Sequence, residues 1–330
     1  MEILAALATA AAFSFLLSWR LAHARGSWQN LDIPNERSLH TLPTPRTGGI
    51  AILLGTATGL LVLVLVQGRT IATLPLYIAV MILALLSLSD DRYRLGVGLR
   101  LLVQLAIAGF LIYHYRTPGQ GIALGLIALL FLVWMVNLYN FMDGMDGFAG
   151  GMSIFGFGTY AALGWQAGQV EFSLGCATLA AACAGFLPLN YPPAKLFMGD
   201  VGSTVLGLLA GVTILQSHRD GILPVWLGIL VFSPFIVDAS VTITTRILCR
   251  ERFWEPHKKH CYQRLVQAGW GHHRTVLTEY ALMLACSFSA LCGVALPLKG
   301  QVFIIATWAL LYAALIGFVH HRTTQRLADT

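Results

Sequence analysis

The chain has 330 residues, of which 57% are hydrophobic and only 11% charged, with a formal net charge of +6 at pH 7. A soluble domain of this size carries about a quarter charged residues, so a water-soluble domain is excluded as the bulk of the protein. With no such domain to bind it, nucleic acid is excluded as a partner.

Eleven apolar runs follow one another: 4–21, 48–66, 71–89, 99–114, 120–137, 147–165, 169–187, 203–217, 222–243, 275–296 and 301–319. They are continuous rather than alternating, which in lipid means helices and not a barrel. The expected fold class is all-α, a polytopic membrane bundle of about eleven transmembrane helices forming one integral membrane domain over residues 1–330. The first run opens on Met1-Glu2, acidic where a signal peptide is basic, and is expected to be a retained helix.

All but four of the 21 Lys and Arg residues fall after odd-numbered runs or in the C-terminal tail; the four are Arg69, Arg116, Arg219 and Lys299. The positive-inside rule then puts the N-terminus in the periplasm and the C-terminus in the cytoplasm. The inner surface becomes basic, suited to anionic lipid or phosphate ligands. The six cysteines form no CxxC pair and lie mostly inside the runs, as small apolar packing residues.

Outward connections are short and plain, while inward ones are rich in Asp, Asn, His, Arg and Gly. One shared inner-side site follows, whereas a transporter more often places ionisable groups near the midplane. The first inward segment, 31–49, is stiffened by prolines, and its Gly48-Gly49 allows close backbone approach; Arg37, His40 and Arg46 are candidates to meet an anion. At the end of the third run Asp90-Asp91 is disfavoured beside a helix C-terminus, so a metal ion, Arg92 or Arg94 should compensate. Arg100 and Gln104 follow on one face of the next helix.

Asn137, Asn140, Asp143 and Asp146 recur every third residue and share a face while helical geometry lasts. Such amides and acids suit a nucleobase, ribose or hydroxyls, and the acids suit Mg²⁺. From Asn190 to Thr204 the chain places Asp200 just before a helix whose first turn, Gly202-Ser203-Thr204, offers free N–H groups to a phosphate. The alternative is that Asp200 is simply an N-cap. The basic stretch 246–274 centres on His257-Lys258-Lys259-His260, with Arg264 following; two histidines without a third ligand are a weak zinc signal, and donors to phosphate and sugar read better. Asp238 lines the site or pairs with a neighbouring cation.

Together these motifs resemble the polyprenyl-phosphate N-acetylhexosamine-1-phosphate transferase family, of the glycosyltransferase family 4 type. The likeness is closer to the branch that initiates O-antigen and related surface glycans than to phospho-MurNAc-pentapeptide translocase. It runs from Asp32-Ile33-Pro34 to Gln263-Arg264-Leu265. The resemblance implies Mg²⁺ (Mn²⁺ substituting) on Asp200, with Asp143 and Asp146 as further metal and nucleotide residues beside Asn140. It ties Asp90 and Asp91 to the lipid phosphate and His257 and His260 to catalysis. Arg37, His40, Arg46, Arg100, Asn137, Asn190, Lys258 and Arg264 complete the expected substrate contacts. The family's contiguous histidine motif is broken here into His257-Lys258-Lys259-His260.

The implied reaction moves a HexNAc-1-phosphate (GlcNAc, or a 6-deoxy relative such as QuiNAc or FucNAc) from a UDP-sugar to undecaprenyl phosphate in the bacterial inner membrane, with the active site facing the cytoplasm. UMP is released, and lipopolysaccharide O-antigen synthesis for the cell envelope begins. The expected partners are a UDP-N-acetylhexosamine, undecaprenyl phosphate, membrane lipids and, left open, a second copy in a homodimer. Two rivals are a transporter or flippase for polyprenyl-linked sugars and a CDP-alcohol phosphotransferase; the latter's Asp-Gly-xx-Ala-Arg pattern is absent, since Asp143-Gly144 leads to Met145-Asp146-Gly147.

Overall fold

The computed structural model describes residues 1–24, 30–34, 39, 42–68, 74–115, 121–252 and 257–328, with side chains omitted at Gln67 and 324–328. Arg37 and His40 lie outside the described residues. The helices are α1 (Glu2–His23), α2 (Gly48–Gln67), α3 (Leu74–Tyr93), α4 (Val97–Tyr115), α5 (Ile122–Met142), α6 (Phe148–Gln166) and α7 (Val170–Asn190). They continue as α8 (Gly199–Arg219), α9 (Val225–Val231), α10 (Ser233–Leu248), α11 (Cys261–Leu265), α12 (Gly271–Gly293) and α13 (Leu298–Ala328). Two short strands, β1 (Leu31–Asp32) and β2 (Thr44–Pro45), pair antiparallel with Leu31 opposite Pro45 and Asp32 opposite Thr44.

Every one of the eleven apolar runs lies within or across a helix, and nine helical segments among the described residues are long and apolar enough to cross a membrane. A tenth is gained if α9 and α10, bent by 86°, count as one broken span. The expected unbroken run at 222–243 fails at Ser233-Pro234. Proline has no N–H to donate and its ring crowds the carbonyl four residues back, so a helix cannot pass straight through it. The freed Leu230 carbonyl accepts the Ser233 hydroxyl at 2.7 Å, and Ser233 also meets the Tyr312 hydroxyl at 2.6 Å. Polar backbone at membrane depth is thereby satisfied inside the protein. The remaining run, α6, is glycine-rich and lies mostly buried among its neighbours. It fills the core and offers little surface to lipid.

The main core joins α5, α6, α7, α8, α10 and α12 through Tyr139, Phe148, Phe186, Leu206, Phe235 and Met283, all 0–1% exposed. A second cluster joins α3, α4, α5 and α8 through Leu83, Ile107, Val133 and Val205. Lipid is no better a solvent for leucine than another helix is, so tight association in a membrane rests on small residues that let backbones close up. A Cβ on Gly207 would strike the Met135 carbonyl of α5, and one on Gly185 would strike Ala11 of α1. Large apolar side chains such as Leu65, Met81, Leu102, Phe288 and Leu310 are left on the outside.

The start of α2 is fastened to the start of α8. Gly48 and Gly49 donate their N–H groups to the carbonyls of Phe197 and Met198 at 2.9 and 2.7 Å, and Phe197 donates to Pro45 at 2.7 Å. A Cβ on Gly49 would collide with the Gly202 backbone. The close backbone approach expected at Gly48-Gly49 is thus made against α8.

Candidate active site

Four helix ends meet at one end of the bundle: the C-terminal ends of α3 and α5 and the N-terminal ends of α2 and α8. Ser87 of α3 and Thr204 of α8 share a buried hydrogen bond of 2.9 Å, which holds the Asp90-Asp91 pair beside the Asp200 turn. Asn140, near the end of α5, donates through Nδ2 to Asp200 Oδ1 at 3.1 Å and to Ser203 Oγ at 3.0 Å. Asp91 is within electrostatic range of Asp90 and Asp200, and Asp143 within range of Asp200 and Asp146. Five carboxylates from three segments far apart in sequence therefore form one cluster, with Asp32 of β1 also in range of Asp91 at its edge.

Arginines answer the first pair. Arg100 Nη1 lies 2.7 Å from Asp90 Oδ2, and Arg46 Nη2 lies 3.3 Å from Asp91 Oδ1. The expected compensation of Asp90-Asp91 comes from these two, and not from Arg92, which rests over the Tyr93 ring at 5.7 Å. Neither Asp143 nor Asp200 forms an ion pair among the described residues. Burial first, then Asp200 and Asp146, push the Asp143 carboxyl well above the usual carboxylate range. A cation would reverse that repulsion.

The run of Asn137, Asn140, Asp143 and Asp146 does not keep one face, because α5 ends at Met142. Asn137 turns to α4 and donates to Gln104 Oε1 at 2.7 Å. Asp143 caps α5. Gly147 adopts a left-handed φ of 74°, and that turn carries Asp146 towards the 192–194 segment. There Asp146 Oδ2 accepts the Ala194 N–H at 3.0 Å and lies 3.4 Å from His272 Nδ1. Among the described residues no three His, Cys, Asp or Glu side chains converge as a metal cage, so the expected trio of Asp143, Asp146 and Asp200 does not close on one point. Asp143 and Asp200, unpaired by cations, remain a fitting donor set for Mg²⁺, which usually takes one or two carboxylates with substrate phosphates and water.

Other expected contacts have structural duties. Asn190, 3% exposed, accepts the Gly147 N–H and donates to the Leu196 carbonyl, both at 3.0 Å, so its amide ties the two site turns together. α8 begins at Gly199 with Met198 as its N-cap, so Asp200 lies inside the first turn, not before the helix or at its cap as expected from the sequence. Gly202 packs on Gly49, Ser203 bonds Asn140 and the Gly199 carbonyl, and Thr204 bonds Ser87 and the Asp200 carbonyl.

The histidine turn is anchored from α10. Asp238, 7% exposed, accepts the N–H groups of Cys261 and Tyr262 at 2.9 and 3.2 Å, and its Oδ1 lies 3.3 Å from His260 Nδ1. That settles its part: it caps α11 and holds His260. Tyr262 donates to the Phe141 carbonyl at 3.2 Å, which docks the turn on the end of α5 beside Asp143. His257 lies 4.9 Å from the His260 ring. Its pKa is lowered to about 4 by burial, then by His260, Arg246 and Lys259, so it is neutral at pH 7 and acts through hydrogen bonds. Lys259 pairs with Glu251 at 2.5 Å and Arg264 engages Thr323 of α13, whereas the Lys258 carbonyl accepts from Gln267 at 3.0 Å.

Sequence reasoning passed over His272 and His273. They line a cleft of about 490 Å³ with Asp146, Thr44, Leu39, Leu42, Phe197 and the segment Pro192–Ala194. Their Gly-His-His setting carries no motif, and only the path of α12 brings them to Asp146.

A membrane bundle that gathers acids, amides and arginines at one end has the layout of a membrane-embedded polar site. Residues 73–218 match the profile of glycosyl transferase family 4, a stretch that runs from α3 through α8 and holds all five clustered carboxylates. Over 290 residues the chain is 30% identical to the "Probable undecaprenyl-phosphate N-acetylglucosaminyl 1-phosphate transferase" of Bacillus subtilis, covering 83% of this chain and 80% of the relative. It is 32% identical over 268 residues to a phospho-N-acetylmuramoyl-pentapeptide-transferase of Geobacillus kaustophilus, covering 73% and 81%. It is 26% identical over 309 residues to an undecaprenyl-phosphate alpha-N-acetylglucosaminyl 1-phosphate transferase of Yersinia pestis, covering 88% and 82%. The chain belongs to glycosyl transferase family 4, and it is an enzyme of the phosphotransferase kind. Relatives of both substrate types match at similar identity, so overall likeness does not separate the two branches.

Proposed function

We propose that this enzyme transfers a HexNAc-1-phosphate (GlcNAc or a 6-deoxy relative such as QuiNAc or FucNAc) from its UDP-sugar to undecaprenyl phosphate, releasing UMP. The reaction takes place at the cytoplasmic face of the bacterial inner membrane and starts a lipid-linked surface polysaccharide such as O-antigen. The observation that carries the reading is the cluster of Asp90, Asp91, Asp143, Asp146 and Asp200, with Arg46 and Arg100 on one flank and the turn that bears His257 and His260 on the other.

A phosphomonoester has a second pKa of about 6, so the acceptor's phosphate is largely dianionic at pH 7. Its oxygen attacks the sugar-bearing phosphorus of the donor. The bond from that phosphorus to the bridging oxygen breaks, and its electron pair leaves on UMP. Two anions must meet, so positioning and charge neutralisation matter more than a strong base. Mg²⁺, or Mn²⁺ in its place, would be held by Asp200 and Asp143 and would supply that neutralisation at the donor's phosphates. Asn140 holds the Asp200 carboxylate in orientation. Arg46 and Arg100, paired with Asp91 and Asp90, bring positive charge to the acceptor side. The cleft beside Asp146, walled by Phe197 and the two prolines, suits the nucleotide end of the donor, and His257 suits the sugar, with His260 buried behind it.

The test is UMP release by the purified protein in detergent with undecaprenyl phosphate, Mg²⁺ and a panel of UDP-HexNAc donors, with and without EDTA. Release that needs lipid, metal and one donor supports the reading and names the sugar. Silence across the panel from folded protein overturns it. A burst of UMP without lipid acceptor would replace direct attack by a phospho-aspartate route.

A further inference from the structure

We infer that His272, at the start of α12, is a positioning residue for the nucleotide donor, acting by holding the Asp146 carboxylate in the cleft wall. The inference rests on the nucleotide reading of that cleft. Asp146 stands on a glycine turn between α5 and α6, with no regular backbone to fix its side chain. Two groups from distant elements converge on one of its oxygens. The Ala194 N–H, from the segment between α7 and α8, reaches Oδ2 at 3.0 Å. His272 Nδ1, from α12, approaches the same Oδ2 at 3.4 Å.

His272 is partly buried, a backbone hydrogen bond links its ring to Leu39, and its Nδ1 is out of reach of solvent with no full hydrogen bond of its own. A buried ring nitrogen without a partner is costly, so Asp146 is the acceptor that gives it a purpose. At 3.4 Å the contact is longer than a full hydrogen bond, and apo-site contacts of this kind tighten when ligand is bound. With Oδ2 held from two sides, the plane of the carboxylate is set. No protein group among the described residues bonds Oδ1, so it is left for a ligand donor in a cleft otherwise walled by Phe197, Pro192, Pro193, Leu39 and Leu42. A rigid acceptor among apolar walls is the usual form of a small-molecule site. Without His272 the carboxylate keeps only the Ala194 contact and can swing.

The experiment compares wild type with His272→Leu, which fills the space without a donor, and His272→Asn, whose Nδ2 falls near the position of Nδ1. Binding of UMP is measured by calorimetry in detergent with Mg²⁺, alongside KM and kcat with the active UDP-sugar and the thermal midpoint. His272→Leu is expected to weaken UMP binding and raise the donor KM by about tenfold, as loss of an orienting partner commonly does, with kcat and midpoint little changed. His272→Asn should recover most of the loss. Wild-type UMP affinity in His272→Leu overturns the inference, as does equal damage in both variants together with a lowered midpoint, which marks a purely structural role. If wild type itself binds no UMP, the nucleotide reading of the cleft fails and takes the inference with it.

Discussion

Asp90, Asp91, Asn140 and Asp200 stand within a few residues of helix ends, and short-range patterns of acids, amides and glycines announce them. His257 and His260 stand in a turn whose place is set by Asp238 on α10, by the α5 carbonyl of Phe141, and by Glu251 through Lys259. The first region is a rigid frame in which each carboxylate is carried by a spanning helix packed on its neighbours. The second is a turn held on by a handful of polar contacts and by Tyr262, which is buried in the main core against Phe148. The frame holds the charged groups that the reaction needs fixed, and it is the frame that the family profile covers; the turn lies beyond residue 218 and carries the altered histidine spacing.

The sharpest way to break this comparison is Asp200→Asn. Loss of one electrostatic group in a preorganised site commonly costs about 10²–10³ in kcat, and UMP release should fall by that much with the thermal midpoint unmoved. Near-normal turnover at saturating Mg²⁺ would remove Asp200 from the metal site. Next comes Asp238→Ala, which leaves two N–H groups at the start of α11 and His260 without their acceptor. Hydrogen bonds to a charged group are worth about 1.5–3 kcal/mol each, so the turn should detach: activity drops by about tenfold or more, and limited proteolysis cuts between α10 and α11 while the frame stays intact. Cleavage spread over the whole chain would mean that frame and turn unfold together.

Gly49→Ala tests the frame itself. The added methyl meets the Gly202 backbone, which cannot swing aside as a side chain can. Overpacking costs about 1–3 kcal/mol, read as a lower thermal midpoint, and activity should fall with it because Arg46, just ahead of α2, pairs with Asp91. The smallest effect concerns pH. The His257 pKa is lowered from 6.5 to about 4, so between these values the unfolded chain takes up the proton before the folded one does. Stability from this residue is full above pH 6.5 and declines as pH falls towards 4. His257→Gln should flatten that part of the midpoint-against-pH curve, and an unchanged slope would show that the turn does not bury His257.

Helical runs and their order were legible in the sequence because lipid demands long apolar stretches and tolerates no open backbone. The acid and amide clusters were legible because charge at a membrane boundary stands out against apolar flanks. Folding decided what depends on contacts between segments far apart in the chain. The bend at Pro234 broke one expected span. Asn190 and the first turn of α8 were turned to holding the frame together. Arg46 and Arg100 were chosen over Arg92 as partners of the aspartates, and His272 was carried to Asp146 with no local pattern to announce it. The physical reason is range: hydropathy and helix ends are set within about one turn of chain, whereas which polar group answers which is set by how the helices pack.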